Sequence, residues 1–304
     1  MKRPGPYLAF QRDPFAPSAL EELLASATVR KTVSGRPSLL LTGLVFTAAL
    51  SIQAQQPSQS VTRPRTAGTA ARISNAGPSS TTNDPQQLLA AGRAAHDARR
   101  FDEAIRIFNR VITLAANQPR TAALAQLGIG NAYMAQGKFG NAEVAFQRAV
   151  TLNPDAESYN NLGEALGELK QYQRAIDAFT KAVSLDPKLL KARYNQAVSY
   201  DRLGNFRYSE FVFRSLIKSN PNYSLSYDGL AVTLSKAGRA KEAIAFHERA
   251  IALDPREPSY YYNYAISFLM MGDTAKALAQ QEKLKALDPA VANRLASVIV
   301  KHQM

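Results

Sequence analysis

Apolar residues recur at helical spacing through most of the chain, and the stretch from Tyr159 to Pro187 shows this most clearly. One stripe comprises Tyr159, Leu162, Gly163 and Leu166, and a second comprises Tyr172, Ala175, Ile176, Phe179, Ala182 and Val183. Steps of three and four residues place each set on one face of an α-helix. Asp186-Pro187 ends the second helix, because a residue before proline disfavours the α region. The pattern predicts two antiparallel helices, neither of which can bury its stripe alone.

The same pattern repeats along the chain. Pro187, Pro221, Pro255 and Pro289 are 34 residues apart, Pro154 lies 33 residues earlier, and each of the five follows Asp or Asn. Small residues share the slot of Gly163: Gly130, Ala197, Ala231 and Ala265. Phe146 and Phe213 share the slot of Phe179, which His247 and Gln281 occupy later. Small side chains therefore recur where two helix backbones approach, and large ones recur between them.

This pattern resembles the tetratricopeptide repeat family, whose 34-residue unit is a helix-turn-helix. The resemblance covers residues 85–289 in about six units, of which the first is degenerate. It implies an all-α fold, a right-handed solenoid of stacked helix pairs with a concave face that binds peptides or proteins. Residues 290–304 carry one more stripe and predict a C-terminal capping helix. The family does not imply one activity.

One spacing departs from the repeat. Ala104 and Ala142 occupy equivalent slots but are 38 residues apart, which is four more than one unit. Four residues make about one helical turn. We therefore expect the second helix of the first unit to run one turn longer, toward Pro119. Gly137, Gly204, Gly238 and Gly272 are predicted to be the turn glycines between paired helices.

The chain before the repeats divides into three parts. Residues 1–37 form a mixed leader, residues 38–54 contain the uncharged apolar run Leu39 to Ile52, and residues 55–84 are rich in Gln, Pro, Ser and Thr. Fourteen apolar residues are fewer than a membrane span usually needs, and fit the core of a secretory signal. Residues 55–84 have the composition of a disordered linker.

Three interpretations of residues 38–54 stay open. A cleaved signal or an uncleaved anchor would each place the repeats outside the cytoplasm, in the periplasm, secreted or at the inner membrane. In the third, the run is buried or irrelevant. The long leader also suggests a true start downstream, for example at Val29 or Val33.

Composition favours binding over catalysis. The net charge is +13, with 9 basic and 4 acidic residues in 1–84 and 28 and 20 in the remainder, so the excess is spread along the chain. There is no cysteine, and His96, His247 and His302 fall in separate parts of the chain. We predict no cofactor and no metal site, and expect His247 to be packed in the core. No pairing of a nucleophile with a base can be assembled, so the chain is predicted not to be an enzyme.

The predicted site is the concave groove. The first helix of each pair turns its unburied side to that face, and polar and aromatic residues recur there: Asn131, Asn160, Asn161, Glu164, Lys191, Tyr194, Asn195, Arg202, Tyr262 and Asn263. Asparagines would bond the backbone of a partner peptide, and tyrosines would supply contact area.

Two further binding modes come from the same residues. Some family members hold a peptide carboxylate in a clamp of Lys, Asn and Arg; Asn131, Asn161 and Lys191 match three of its slots, whereas Leu127 and Asn195 do not match the other two. Tyr260 and Tyr262 lie off the core stripe of Tyr261 and Tyr264. They are predicted to face outward as a patch for self-association.

The sequence therefore predicts a non-catalytic scaffold that binds a protein or peptide partner and is exported or membrane-tethered. One alternative is an accessory subunit of an enzyme or of an envelope assembly complex. A second is a basic solenoid that binds nucleic acid.

Overall fold

The computed structural model describes residues 83–303; the leader, the apolar run and nearly all of the linker segment lie outside these residues. Thirteen helices and no strands make up the described part. The helices are α1 Pro85–Asp97, α2 Phe101–Leu114, α3 Pro119–Ala135, α4 Phe139–Leu152, α5 Ala156–Glu168, α6 Tyr172–Leu185, α7 Leu190–Arg202, α8 Phe206–Ser219, α9 Ser224–Lys236, α10 Ala240–Leu253, α11 Pro258–Met270, α12 Thr274–Leu287 and α13 Pro289–Gln303. The predicted all-α fold is confirmed.

The helices form six hairpins stacked in chain order. Each helix packs against the helices before and after it, so every hairpin shares an apolar boundary with its neighbours. Helices α6, α8, α10 and α12 each end two residues before a proline of the 34-residue series. The proline therefore marks the end of a unit, as the sequence predicts.

The two helices of a hairpin make different contacts along the stack. Each first helix from α1 to α9 also packs against the next first helix, and α11 packs against α13. The backbones of successive second helices lie farther apart and are joined by side chains, as by Arg174 and Glu143 at 2.7 Å. The first helices are therefore closer together than the second helices. We call the layer of first helices the inner face and the second-helix side the outer face.

Glycine allows the close approach within a hairpin. An added Cβ at Gly163 would lie 2.6 Å from Phe179 Cε1, and one at Gly130 would lie 2.3 Å from Phe146 Cε1. Both phenylalanines are buried. The ring of the second helix thus lies directly on the bare backbone of the first, as the repeating small and large slots predict.

The turn within a hairpin needs a left-handed residue. Gly137, Gly204, Gly238 and Gly272 have φ between 72° and 82°, which confirms the predicted turn glycines. In the first and third units the same place is taken by Arg99 and Lys170, with φ of 61° and 59°. Side chains are disfavoured in this region, so these two turns carry local strain.

The extra turn lies elsewhere than predicted. Helix α2 has 14 residues, like the other second helices of the hairpins, whereas α3 has 17 and the other first helices have 13. Pro119 occupies the first turn of α3, where proline fits because its missing N–H has no intrahelical partner. The prediction that α2 is lengthened toward Pro119 is therefore wrong: Pro119 begins the next helix.

Helix α13 covers the last hairpin. Val291, Leu295 and Ile299 are buried against α11 and α12, while Val300 and Lys301 are exposed. The predicted capping helix is thus present. Within residues 83–303, no helix combines the length and the apolar character that crossing a membrane requires.

Candidate functional site

A polar cluster ties α5 to α7 on the first-helix layer. Glu164 Oε1 accepts from Asn160 Nδ2 at 2.7 Å and from Asn195 Nδ2 at 3.2 Å, and Lys191 Nζ lies 2.6 Å from it. Only 3–4% of each of Asn160, Glu164 and Asn195 is exposed. These three predicted groove residues are therefore engaged with one another, across two hairpins.

A buried ion pair ties α7 to α9. Lys236 Nζ bonds Asp201 Oδ2, and both side chains are less than a tenth exposed. The other carboxylate oxygen, Asp201 Oδ1, is buried and has no hydrogen-bond partner within the described residues. The pair fixes the spacing of the two helices and leaves one acceptor unfilled.

A third group ties α9 to α11. Asn263 Nδ2 donates to Asp228 Oδ2 at 2.8 Å, and Ser235 Oγ and Ser267 Oγ are 2.8 Å apart. Fully buried His247, on α10, lies between them, 3.1 Å from Asp228 Oδ1 and 2.9 Å from Ser267 Oγ. His247 is therefore a packed core residue, as predicted, and it also joins three helices.

Asp228, His247 and Ser267 have the hydrogen-bond order of a hydrolase triad. Catalysis by such a triad needs a serine hydroxyl that a substrate can reach. Ser267 is fully buried, and its hydroxyl also bonds the backbone oxygen of Asn263 at 3.1 Å. The arrangement thus links helices and presents no nucleophile to solvent. Residues 83–303 also contain no group of three or more candidate metal ligands arranged to hold an ion.

The predicted groove residues differ in exposure. Asn131 and Arg202 are exposed, and Asn161, Lys191 and Asn263 are half-buried. Tyr194 is buried, with edge contacts to Phe213 at 5.7 Å and Tyr223 at 6.2 Å. Burial raises the pKa of the Tyr194 hydroxyl well above its usual range. Tyr194 therefore belongs to the core, and the first-helix surface is mainly polar.

The prediction that Tyr260 and Tyr262 face outward is wrong. Tyr260 is 1% exposed and donates to Ser224 Oγ at 2.9 Å, which places it between α9 and α11. Tyr262 is buried under Arg294 of α13, 5.2 Å from the ring centre. The repeat pattern predicts neither contact, because one partner lies in a neighbouring hairpin and the other in the capping helix.

Sequence reasoning also missed the ties α7–α9 and α9–α11. Asp201 bonds Lys236 and Asp228 bonds Asn263, in each case 35 positions along the chain. The signal was a pair of polar residues 35 positions apart, the second one position beyond the equivalent slot of the next unit.

The matches to protein-family models fall in the repeat region. The family model described as "Tetratricopeptide repeat" matches residues 127–189 and 229–292, and a second model of that description matches residues 191–223. Together these matches cover just over half of the 304 residues.

Among curated proteins, the chain is similar to the peroxisomal targeting signal receptors of Kluyveromyces lactis and Candida albicans. Identity is 31% over 109 residues and 32% over 102 residues. The matches cover 36% and 33% of this chain, but only 19% and 17% of the two receptors.

Two solved structures share the fold. A tetratricopeptide repeat protein from Parabacteroides merdae has a TM-score of 0.59 at 18% identity, covering 73% of this chain and 86% of its own. PilW, a type IV pilus biogenesis factor, has a TM-score of 0.59 at 18% identity, covering 67% and 94%. Tetratricopeptide repeats mediate protein–protein interaction, and the chain described here is a member of the tetratricopeptide repeat family.

Proposed function

We propose that the chain is a non-catalytic scaffold whose inner face binds a segment of a partner protein. The observation that carries this proposal is the row of polar ties from α5 to α11, in which buried charged and amide groups hold successive first helices in register. Buried ion pairs are weak contributors to net stability. Their recurrence along one layer is better explained by a surface whose shape is fixed before a partner arrives.

Two recognition groups on the inner face are exposed and lie outside this row: the Asn131 amide and the Arg202 guanidinium. The half-buried Asn161 and Asn263 already bond Asn160 and Asp228. Amide side chains can both donate to and accept from a peptide backbone. The similarity to proteins named peroxisomal targeting signal receptors supports a peptide ligand, although the aligned stretch is a small part of those proteins.

Site-specific photocross-linking tests the proposal. A photoreactive residue at Asn131 or Arg202 probes the inner face, and one at the exposed second-helix positions Gln173 or Lys241 is the matched control. We expect one discrete protein adduct from the inner positions only, reduced by excess unlabelled chain. Equal labelling from both faces would contradict the proposal. Recovery of nucleic acid alone, with steep salt dependence, would favour the nucleic-acid alternative.

We also propose that residues 38–54 direct the repeats out of the cytoplasm, as a cleaved signal or as an anchor. The support is the uncharged run Leu39 to Ile52 with Arg30, Lys31 and Arg36 before it. Cell fractionation with peptide mapping of the native N-terminus tests this. Recovery of the repeats from the cytoplasmic fraction would contradict it.

A further inference from the structure

A pocket of about 310 Å³ opens on the outer face between α2, α3 and α4. Ile129, Ala145 and Val144 form its apolar wall, and Val144 is 51% exposed. Asn109, Gln126, Asn141 and Arg148 supply its polar lining. The volume lies at the lower end of the range for ligand sites. Gln126 and Ile129 lie on the first helix α3, but none of the lining residues is one of the predicted groove residues.

The repeat shows why the pocket is open here. The slot of Gln126 is occupied in the later units by Tyr159, Arg193, Tyr227 and Tyr261. Tyr227 and Tyr261 are buried, and their hydroxyls donate to the backbone oxygens of Pro221 and Pro255 at 3.0 and 2.9 Å. An aromatic ring therefore fills this junction in the fifth and sixth units. Glutamine is smaller and leaves the space empty.

Comparison of the repeats also shows why Arg148 lacks a partner within its own unit. In the fourth, fifth and sixth units the residue 22 positions after the slot contacts its occupant. Arg193 donates to Ser215 Oγ at 2.8 Å, Arg249 lies 5.9 Å from the Tyr227 ring centre, and Lys283 lies 5.8 Å from that of Tyr261. Gln126 and Arg148 have the same separation but no contact of this kind. Within residues 83–303, the Arg148 guanidinium has no ion pair or hydrogen bond.

The amide groups of the pocket are also without partners. Gln126 is only 7% exposed, yet its side chain makes no hydrogen bond with any described residue. The side chains of Asn109 and Asn141 make none either. Gln126 lines the pocket, so a ligand that supplies both donors and acceptors can bond its amide.

Charge around the pocket favours an acidic ligand. Among the residues that line the pocket, Arg148 is the one charged side chain, and none is a carboxylate. Arg148 stands seven residues after Asn141, which is about 10 Å along α4. Three residues of extended peptide span about the same distance. A backbone can therefore meet Asn141 and Gln126 while a nearby carboxylate reaches Arg148.

We propose that this outer pocket binds a short acidic segment of a partner protein, with the three amides on its backbone and Arg148 on its carboxylate. One unpaired cation among three amides suits a peptide better than nucleic acid, which is bound by a series of cations along its backbone. The outer pocket and the proposed inner-face site use different residues, so one proposal can be wrong while the other holds.

The test is an NMR titration of the full ¹⁵N-labelled chain. The probe is the acetylated and amidated pentapeptide Ala-Ala-Glu-Ala-Ala, with matched peptides carrying Gln or Lys in place of Glu. We expect saturable shifts of the side-chain amide signals of Asn109, Gln126 and Asn141 with the Glu peptide. We expect about tenfold weaker binding of the Gln peptide, because a charge-assisted hydrogen bond is lost.

Substitutions localise the binding. Q126Y restores the ring found at this slot elsewhere and should abolish the shifts, and R148Q should weaken binding about tenfold. R249Q changes the matching residue of the fifth unit and should leave binding unchanged. Should Q126Y fail to fold, Gly140→Gln replaces it: a Cβ at Gly140 meets nothing within 4 Å, and Gln173 occupies this slot in the third unit.

Four results would overturn the proposal: no saturable shift with the Glu peptide, equal binding of the Lys peptide, unchanged binding by folded Q126Y or Gly140→Gln, or tighter binding of a single-stranded oligonucleotide than of the peptide. Loss of inner-face cross-linking with these titrations intact would overturn only the proposed inner-face function.

Discussion

At the residue scale, the turn of the third hairpin holds Lys170 in a strained backbone conformation that glycine would relieve. Lys170 has φ of 59° where four other units have glycine. Lys170→Gly should raise the free energy of unfolding by about 0.5–1 kcal/mol, because the left-handed strain exceeds the entropy that glycine adds to the unfolded chain. Urea denaturation measures the change. Gly204→Ala is the reverse control and should destabilise; a loss of stability in Lys170→Gly would contradict the prediction.

The contact of Gly163 with Phe179 is a second residue-scale test. A Cβ at Gly163 lies 2.6 Å from the ring, so Gly163→Ala should cost about 1–3 kcal/mol through overpacking. Phe179→Leu in the same chain should recover part of that cost by removing the clashing ring edge. A double-mutant cycle measures the coupling. Additive effects of the two changes would show that the residues do not touch.

Buried tyrosine hydroxyls make the folded chain less stable at high pH. Burial raises the pKa of Tyr223 to about 12 and that of Tyr260 well above its usual range. Above pH 10 the unfolded chain releases protons that the folded chain keeps, so stability is complete below pH 10 and falls as the pH rises toward 12. Urea midpoints at pH 9 and 11 should show this. Tyr260→Phe should reduce the fall.

At the element scale, the tie between α7 and α9 predicts an asymmetric pair of effects. Lys236→Met leaves the Asp201 carboxylate buried without its cation and should cost about 3–5 kcal/mol. The double change Asp201→Asn with Lys236→Met removes both charges and should recover most of that loss. Denaturant melts compare the three chains. A double variant less stable than Lys236→Met alone would show that the ion pair is not the source.

At the element scale, some features of the helices can be predicted from the sequence and others cannot. Helix ends, turn glycines and the Gly163–Phe179 contact follow from spacing, because they are set within one hairpin. The placement of the extra turn does not, since Pro119 fits both the end of one helix and the start of the next. The sequence predicts Asn160, Glu164 and Asn195 as groove residues on the unburied side of their helices. Their burial depends on a neighbour about one repeat away, which periodicity alone does not supply.

At the scale of the whole molecule, the stack should lose order from an exposed end. Helix α13 buries Leu295 and covers Tyr262, so deleting residues 289–304 uncovers the sixth hairpin. We expect a lower melting temperature and faster amide hydrogen exchange in α11 and α12, with α5 and α6 unchanged, because each repeat contacts only its neighbours. Uniformly faster exchange along the chain would indicate a single cooperative unit instead.

The unequal contacts of the two helix layers have a mechanical consequence. Because the first helices lie closer together than the second helices, the solenoid bends most easily by widening the gaps between second helices while the inner layer acts as the hinge. Anything seated between α2 and α4 then alters the radius of curvature that an inner-face partner meets. A ligand in the outer pocket would change the affinity of the inner face for its partner. That partner would change the affinity of the pocket by the same factor.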